Sequence, residues 1–365
     1  MIGRGAGRCA TVTGFNNNFF GTDAGRCARG GGFNNNFIGF EAGCNNTTGS
    51  NNNFIGNEAG KCNSTGGYNN FIGREAGRYS TEGCNNNFIG CGAGKYNTTG
   101  SNNNFIGFCA GKCNTTGSNN NFFGQCAGHC NTTGGNNNMI GCGAGQCATV
   151  TGSHNTFLGT FAGRFASGSG GCNNFIGNSA GYNNTTGGNN NFIGTNAGCN
   201  NTSGDNNIAI GQNSGQTTGS PSGLINLTTS SNCIVMGNAS HSCAAIQIAW
   251  TVISDIRDKC VYGEVPHGKG FLQNVNPIKY SFKDRETGEV TDERIRYGFS
   301  AQEIAELEGD EKIISSKSNI DKWGVTHEHL IPVLVNAVKE LDAENKELKE
   351  RLSALEEKVN SLLEF

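Results

Sequence analysis

The sequence predicts a mostly β protein: a β-solenoid of 17–18-residue coils, then a small α+β domain ending in a coiled-coil helix. Two observations carry this fold class. A glycine following an apolar pair recurs every 17 or 18 residues, from Gly3 and Gly21 through Gly90, Gly107 and Gly124 to Gly194 and Gly211. A fixed period near 20 residues marks stacked repeats. Residues 326–365 instead carry an apolar seam at alternating spacings of four and three, as a coiled-coil helix does. Four segments follow: a repeat solenoid over 1–212, an irregular β connector over 213–253, a mixed domain over 254–325, and the terminal helix over 326–365.

The repeat unit is Asn-Asn-Asn-Phe-Ile-Gly-x-x-Ala-Gly followed by a turn such as Asn-Thr-Thr-Gly-Ser, as in residues 102–118. It has no helical period. Its glycines and asparagines tolerate the left-handed backbone that tight corners require. Each unit therefore forms one coil, with short strands expected around Phe54-Ile55 and around Ala59. Coils stack about 4.8 Å apart, so thirteen of them make a rod of about 60 Å. Adjacent strand residues face opposite ways, so Phe88 and Ile89 cannot both fill one coil. The second apolar residue asks for another buried face. A partner chain would supply it; the alternative is an exposed apolar ladder prone to aggregation.

Other features of the repeats admit two readings. The 17 cysteines could mean metal or disulfides. They recur at equivalent positions, as at Cys27, Cys44, Cys62, Cys113, Cys130 and Cys147, but exchange with Tyr79, Tyr96 and Tyr182. That exchange favours small, stacked, weakly polar side chains in a reducing compartment. No metal and no cofactor are expected. Asn97, Asn114 and Asn131 match the glycosylation sequon but equally suit turns. Thr98-Thr99 and Thr115-Thr116 could form a ladder that binds ice or sugar. Calcium-binding repeats need an aspartate per unit, whereas the repeat region holds only Asp23 and Asp205. Glu41, Glu58 and Glu75 share one position and read as a solvated ladder rather than the paired carboxylates of a glycosidase cleft.

Charge is uneven. Residues 1–254 carry 10 Lys+Arg against 6 Asp+Glu, and residues 255–365 carry 16 against 23. Neither part offers the clustered basic face of a nucleic-acid binder. No run of 18 apolar residues suggests membrane insertion. Met1 leads directly into a repeat-like stretch, so no signal peptide is expected.

Past Gly211 the period fades into the loop-like Gln216–Gly223. A degenerate unit, Asn232-Cys233-Ile234-Val235-Met236-Gly237, and an expected strand over 244–253 complete the connector. The composition then changes at Ser254-Asp255-Ile256-Arg257-Asp258-Lys259. By residue type, Ser254 and Asp255 could cap the next element. Equally, a serine becomes a nucleophile when a base takes its proton, and a desolvated lysine can be that base.

Downstream stand Asn276-Pro277-Ile278-Lys279-Tyr280-Ser281-Phe282-Lys283, then Gly298-Phe299-Ser300-Ala301-Gln302-Glu303, then Ala337-Val338-Lys339-Glu340-Leu341. With the hexapeptide, these four stretches in order resemble the intramolecular chaperone domain of phage tail spikes and tail fibres, peptidase family S74, over the whole of 254–365. Asp258, Ser300 and Tyr297 depart from the family's usual leucine, aliphatic residue and histidine. The resemblance implies self-cleavage at Ser254-Asp255 with Ser254 and Lys259 as a catalytic serine–lysine dyad. Arg257, Gln302 and Glu303 would support the site or its oxyanion. The repeats are similar in pattern to the β-roll units of trimeric adhesin heads, whose coils are shorter.

The terminal helix begins near Thr326, its expected N-cap, with Pro332 tolerated in the first turns. His327-Glu328-His329 lacks the spacing of a zinc helix. Leu334, Val338, Leu341, Asn345, Leu348, Leu352, Leu355, Val359 and Leu362 form the a/d seam, with Asn345 setting register. The seam does not choose between two strands and three; the family resemblance implies three.

Near-identical repeats can pair out of register. A trimerising C-terminal domain would align the chains, and its release would trap the product kinetically. The reading is a homotrimeric viral fibre or appendage protein, assembled in the host cytoplasm and located in the virion, with other virion proteins and host-surface glycan as possible partners. The alternative is a glycan- or receptor-binding adhesin fibre whose chaperone domain stays uncleaved.

Overall fold

The structure, a computed structural model, describes residues 1–9, 14–147, 152–167, 170–216, 227–238, 254–283, 287–319 and 322–363. It divides into two compact units, Met1–Cys243 and Ala244–Phe365. The expected strand over 244–253 lies outside the described residues.

The first unit is a parallel β-solenoid built on one 13-stranded sheet in sequence order. Each rung is three residues long, from β1 (Asn18–Phe20) through β6 (Asn104–Ile106) and β7 (Asn121–Phe123) to β12 (Ile208–Ile210) and β13 (Ile234–Met236). Register is exact to the repeat: Asn104, Phe105 and Ile106 face Asn121, Phe122 and Phe123. The sheet continues past residue 212, because Ile208 pairs with Ile234 across a longer excursion. The degenerate unit of the connector is therefore one more rung.

The two apolar residues of each rung part as strand geometry demands. Phenylalanine is fully buried from Phe37 to Phe192, with Met139 replacing it once. Its neighbour is half-buried or exposed, as the intermediate–buried–intermediate pattern of β3 (Asn53–Ile55) and β5 (Asn87–Ile89) shows. The inner rings stack face to face, with Phe88, Phe105 and Phe122 at centroid separations of 4.8 and 4.7 Å. Burying each ring contributes about 1.5–3 kcal/mol. Two glycines make this column possible. A Cβ at Gly111 would sit 2.5 Å from the Phe105 ring, and one at Gly107, whose φ is +139°, would sit 2.4 Å from the Gly124 carbonyl oxygen.

The second strand expected around Ala59 is absent. Ala59 is fully buried, but its N–H donates to the Gly56 carbonyl at 3.3 Å, closing a turn. Left-handed residues at Glu58 and Gly60 break the extended path there. Gly60 N–H still reaches the Ala76 carbonyl of the next coil at 2.9 Å.

Asparagine does more than make corners. Asn102 takes the left-handed conformation at φ 58°. Buried Asn103 donates its amide to the Gly117 carbonyl at 2.8 Å and accepts from Asn120 N–H at 2.9 Å. Asn104 donates to Asn121 Oδ1 at 2.8 Å on the next rung. Asn114, also buried, donates to Asn97 Oδ1 at 2.7 Å. These buried amides thus regain partners for groups taken from water.

The second unit holds helix α1 (Lys269–Gln273), the antiparallel pair β14 (Pro277–Lys283) and β15 (Val290–Phe299), helix α2 (Ala301–Glu308), the pair β16 (Ser315–Asn319) and β17 (Lys322–Val325), and helix α3 (Leu330–Leu363). Its small core is Ile304, Ile314, Leu330 and Val333, with Phe271, Leu272, Phe299 and Val325 packed against it. A 3-10 turn over His327–His329 precedes α3; Thr326 precedes that turn but makes no side-chain cap.

Candidate functional site

Within the second unit, the junction segment is a short stretch folded back on itself. A 3-10 turn over Ile256–Asp258 follows Asp255, whose side chain accepts from Arg257 N–H at 2.9 Å as an N-cap. The Arg257 guanidinium then grips the same carboxylate, with Nε 3.1 Å from each oxygen and Nη2 2.5 Å from Oδ2. That grip holds the Asp255 carboxyl below the usual aspartate range. The turn reverses the chain, and the Lys259 ammonium donates a hydrogen bond to Ser254 Oγ. The capping reading and the dyad reading are therefore compatible: Asp255 caps, and the cap brings Lys259 onto Ser254.

Ser254, Arg257 and Lys259 are all exposed in the single chain. As an ammonium, Lys259 donates to the serine; to act as a base it must first lose a proton.

Gln302 and Glu303 stand in the first turn of α2, capped by Ser300 Oγ, which accepts from Glu303 N–H at 3.3 Å. Among the described residues, neither side chain hydrogen-bonds to the Ser254–Lys259 segment. Arg257 supports the segment through Asp255.

A buried carboxylate in this unit escaped the sequence reading. Glu308, at the end of α2, accepts from Ile313 N–H at 2.8 Å, Ile314 N–H at 2.5 Å, Ser315 N–H at 2.8 Å and Ser315 Oγ at 2.5 Å. Burial pushes its pKa up, but the Ser315 hydroxyl and these backbone donors outweigh that and hold it below the usual range. It pins the strand entering β16 to α2. Its only sequence signal is a glutamate before Gly309 at a helix end.

Helix α3 presents two faces. Leu330, Val333 and Ala337 are buried on its own unit. The expected a/d residues, Leu334 through Leu362, are exposed; Leu348, Leu352 and Leu355 are each 57% accessible. Lys269 N–H donates to Glu340 Oε2 at 2.7 Å, and Asn336 donates to the Val265 carbonyl at 3.1 Å, tying α1 and its approach to the start of α3.

On the solenoid, the glutamate ladder differs from expectation. Glu41, Glu58 and Glu75 are largely buried and alternate with Lys61, Arg78 and Lys95 at 2.6–3.0 Å. The cations sit three residues after each Glu position, one coil on or within the coil, a pairing visible only once coils are stacked. Asn97, Asn114 and Asn131 are fully buried, so in the folded chain they serve turns rather than glycan attachment. Thr98 and Thr115 donate their hydroxyls to carbonyls of the next coil at 3.0 Å. Among the described residues no three His, Cys, Asp or Glu side chains converge to hold a metal ion. No helix among them is long and apolar enough to cross a membrane. Comparison with protein-family models, curated proteins and solved structures finds no match for the chain.

Proposed function

We propose that the chain is a trimeric viral fibre or appendage protein whose C-terminal domain aligns three chains and is released by autoproteolysis between Ser254 and Asp255. The observation that carries this reading is the Lys259–Ser254 hydrogen bond at the junction between the repeat unit and the charged domain. The exposed a/d seam of α3 and the outward apolar stripe of the solenoid support it, because both leave large side chains uncovered in one chain.

In the trimer, neighbouring chains cover Lys259, and desolvation favours its neutral amine. That amine takes the Ser254 hydroxyl proton. The oxygen attacks the Ser254 carbonyl of a second chain, since reaching its own carbonyl would require a four-membered ring. The C–N bond to Asp255 breaks, the protonated lysine gives its proton to the leaving amine, and water hydrolyses the ester. The products are a 254-residue fibre and a 111-residue domain.

A denaturing gel tests the reading. Wild type should run as two fragments, and Ser254→Ala alone as one full-length band. Tagged Ser254→Ala chains co-expressed with wild type should be cut in mixed trimers. A single full-length band for wild type refutes autoproteolysis. Equal trimer yield from residues 1–254 alone refutes the aligning role. A glycan-binding fibre with an uncleaved domain would give the single full-length band together with binding on a glycan array.

A further inference from the structure

The second position after Ala-Gly carries varied residues along the solenoid, but three successive coils place a cysteine there: Cys113, Cys130 and Cys147. They stand on consecutive rungs. Cys113 N–H donates to the His129 carbonyl at 2.9 Å, Cys130 N–H to the Gln146 carbonyl at 3.2 Å, and Cys147 N–H to the Arg164 carbonyl at 2.8 Å. In the two preceding coils the same column holds Tyr79 and Tyr96, whose rings stack 5.3 Å apart and 3° from parallel. Side chains in this column therefore lie directly above one another. In the coils concerned the core rings of Phe105 and Phe122 are 4.7 Å apart. All three cysteines are half-buried.

This spacing discriminates between the chemistries open to paired thiols. A disulfide needs sulfurs about 2.05 Å apart and Cβ atoms about 3.5–4.5 Å apart. Residues related by one coil keep equivalent atoms about 4.8 Å apart, and the continuous backbone ladder resists closing that gap. Two metal–sulfur bonds of about 2.3 Å laid end to end span about 4.6 Å. A cation that accepts two sulfurs in a line fits the rise of the coil; a tetrahedral ion does not, since among the described residues no third ligand converges. Thiolates prefer soft ions such as Cu(I).

We propose that Cys113, Cys130 and Cys147 bind soft monovalent d10 cations, Cu(I) or Ag(I), each ion bridging the sulfurs of two successive coils. Three thiols and two cations give a chain of alternating sulfur and metal and release three protons, leaving one net negative charge. Two cations flank the column to offset it: Lys112 precedes Cys113, and Arg164 stands one coil on from Cys147, whose N–H donates to its carbonyl. His129 Nδ1 lies 3.3 Å from Cys130 Sγ. The inference is independent of the cleavage reading.

The test is anaerobic titration of the reduced full chain with Ag(I) in the presence of competing glutathione, read by native mass spectrometry and X-ray absorption. Wild type should retain two ions more than Cys130→Ser, each with two sulfur neighbours. Cys113→Ser and Cys147→Ser should each lose one ion, and Cys199→Ser none. The single-end variants carry the test if Cys130→Ser misfolds. Equal retention by wild type and all three column variants overturns the proposal. So does ready formation of a Cys113–Cys130 disulfide with diamide in the folded chain.

Discussion

Phe105→Ala removes a ring that is fully buried and stacked on Phe88 and Phe122 at 4.8 and 4.7 Å. Large-to-small changes of this kind cost about 3–5 kcal/mol, more where the site cannot collapse. Here collapse is opposed on both sides. Asn104 N–H holds the Asn120 carbonyl and Gly107 N–H the Ile89 carbonyl, each at 2.8 Å, so the coil spacing is set by the backbone. We expect a loss of about 4 kcal/mol, the middle of that range. For a solenoid of this size the midpoint should fall by about 8–16 °C in scanning calorimetry. Each coil touches only its neighbours, so the damage should stay local. Hydrogen exchange should accelerate at Asn104, Gly107 and Asn121, while Gly39 keeps its protection. A midpoint shift below about 3 °C, or uniform loss of protection along the solenoid, would refute the stacked-ring account.

Three further outcomes are expected. The Lys95 hydrogen bond holds the Glu75 carboxyl below its usual range; Glu58 is also lowered, its Lys61 and Arg78 contacts outweighing burial. Their depressed values mean stability present above the unfolded glutamate pKa of about 4.3 and lost as pH falls through the folded values. Thermal melts from pH 6 to 3 should show that slope, and Glu58→Gln with Glu75→Gln should flatten it. Glu308→Gln leaves fewer acceptor sites for four donors, so the second unit should lose about 1–3 kcal/mol, read by tryptophan fluorescence of Trp323 in β17; no change would place the donors' partners elsewhere. On the proposed trimer, Leu348→Asp with Leu355→Asp should give single chains in analytical ultracentrifugation with α3 largely retained in the monomer's first turns, whereas a mass unchanged from wild type would sink the coiled-coil role of the seam.

The period of the glycines sufficed to read a stack of parallel coils, because stacking identical units requires the same residue at each corner. The a/d spacing of residues 334–362 likewise sufficed for the helix, since that pattern has few other uses. The hexapeptide at 254–259 pointed to Ser254 and Lys259, and a single 3-10 turn brings them together, a contact between residues close in sequence. Gln302 and Glu303 were legible as a motif, yet their side chains make no hydrogen bond to that segment.

What the tertiary structure alone decided lies between coils. Strand alternation required one apolar residue inside and one outside, but the choice of Phe105 over Ile106 follows from the room left at Gly111. Ala59 joins a turn instead of a strand because left-handed residues flank it. The Glu58–Arg78 and Glu75–Lys95 pairs join residues 20 apart in sequence, and Glu308 caps a loop that only folding delivers. The chain thus specifies each coil locally through backbone conformations that few residues tolerate. The polar partnerships, ion pairs and thiol column arise when one coil lies on the next, at a distance no single repeat encodes.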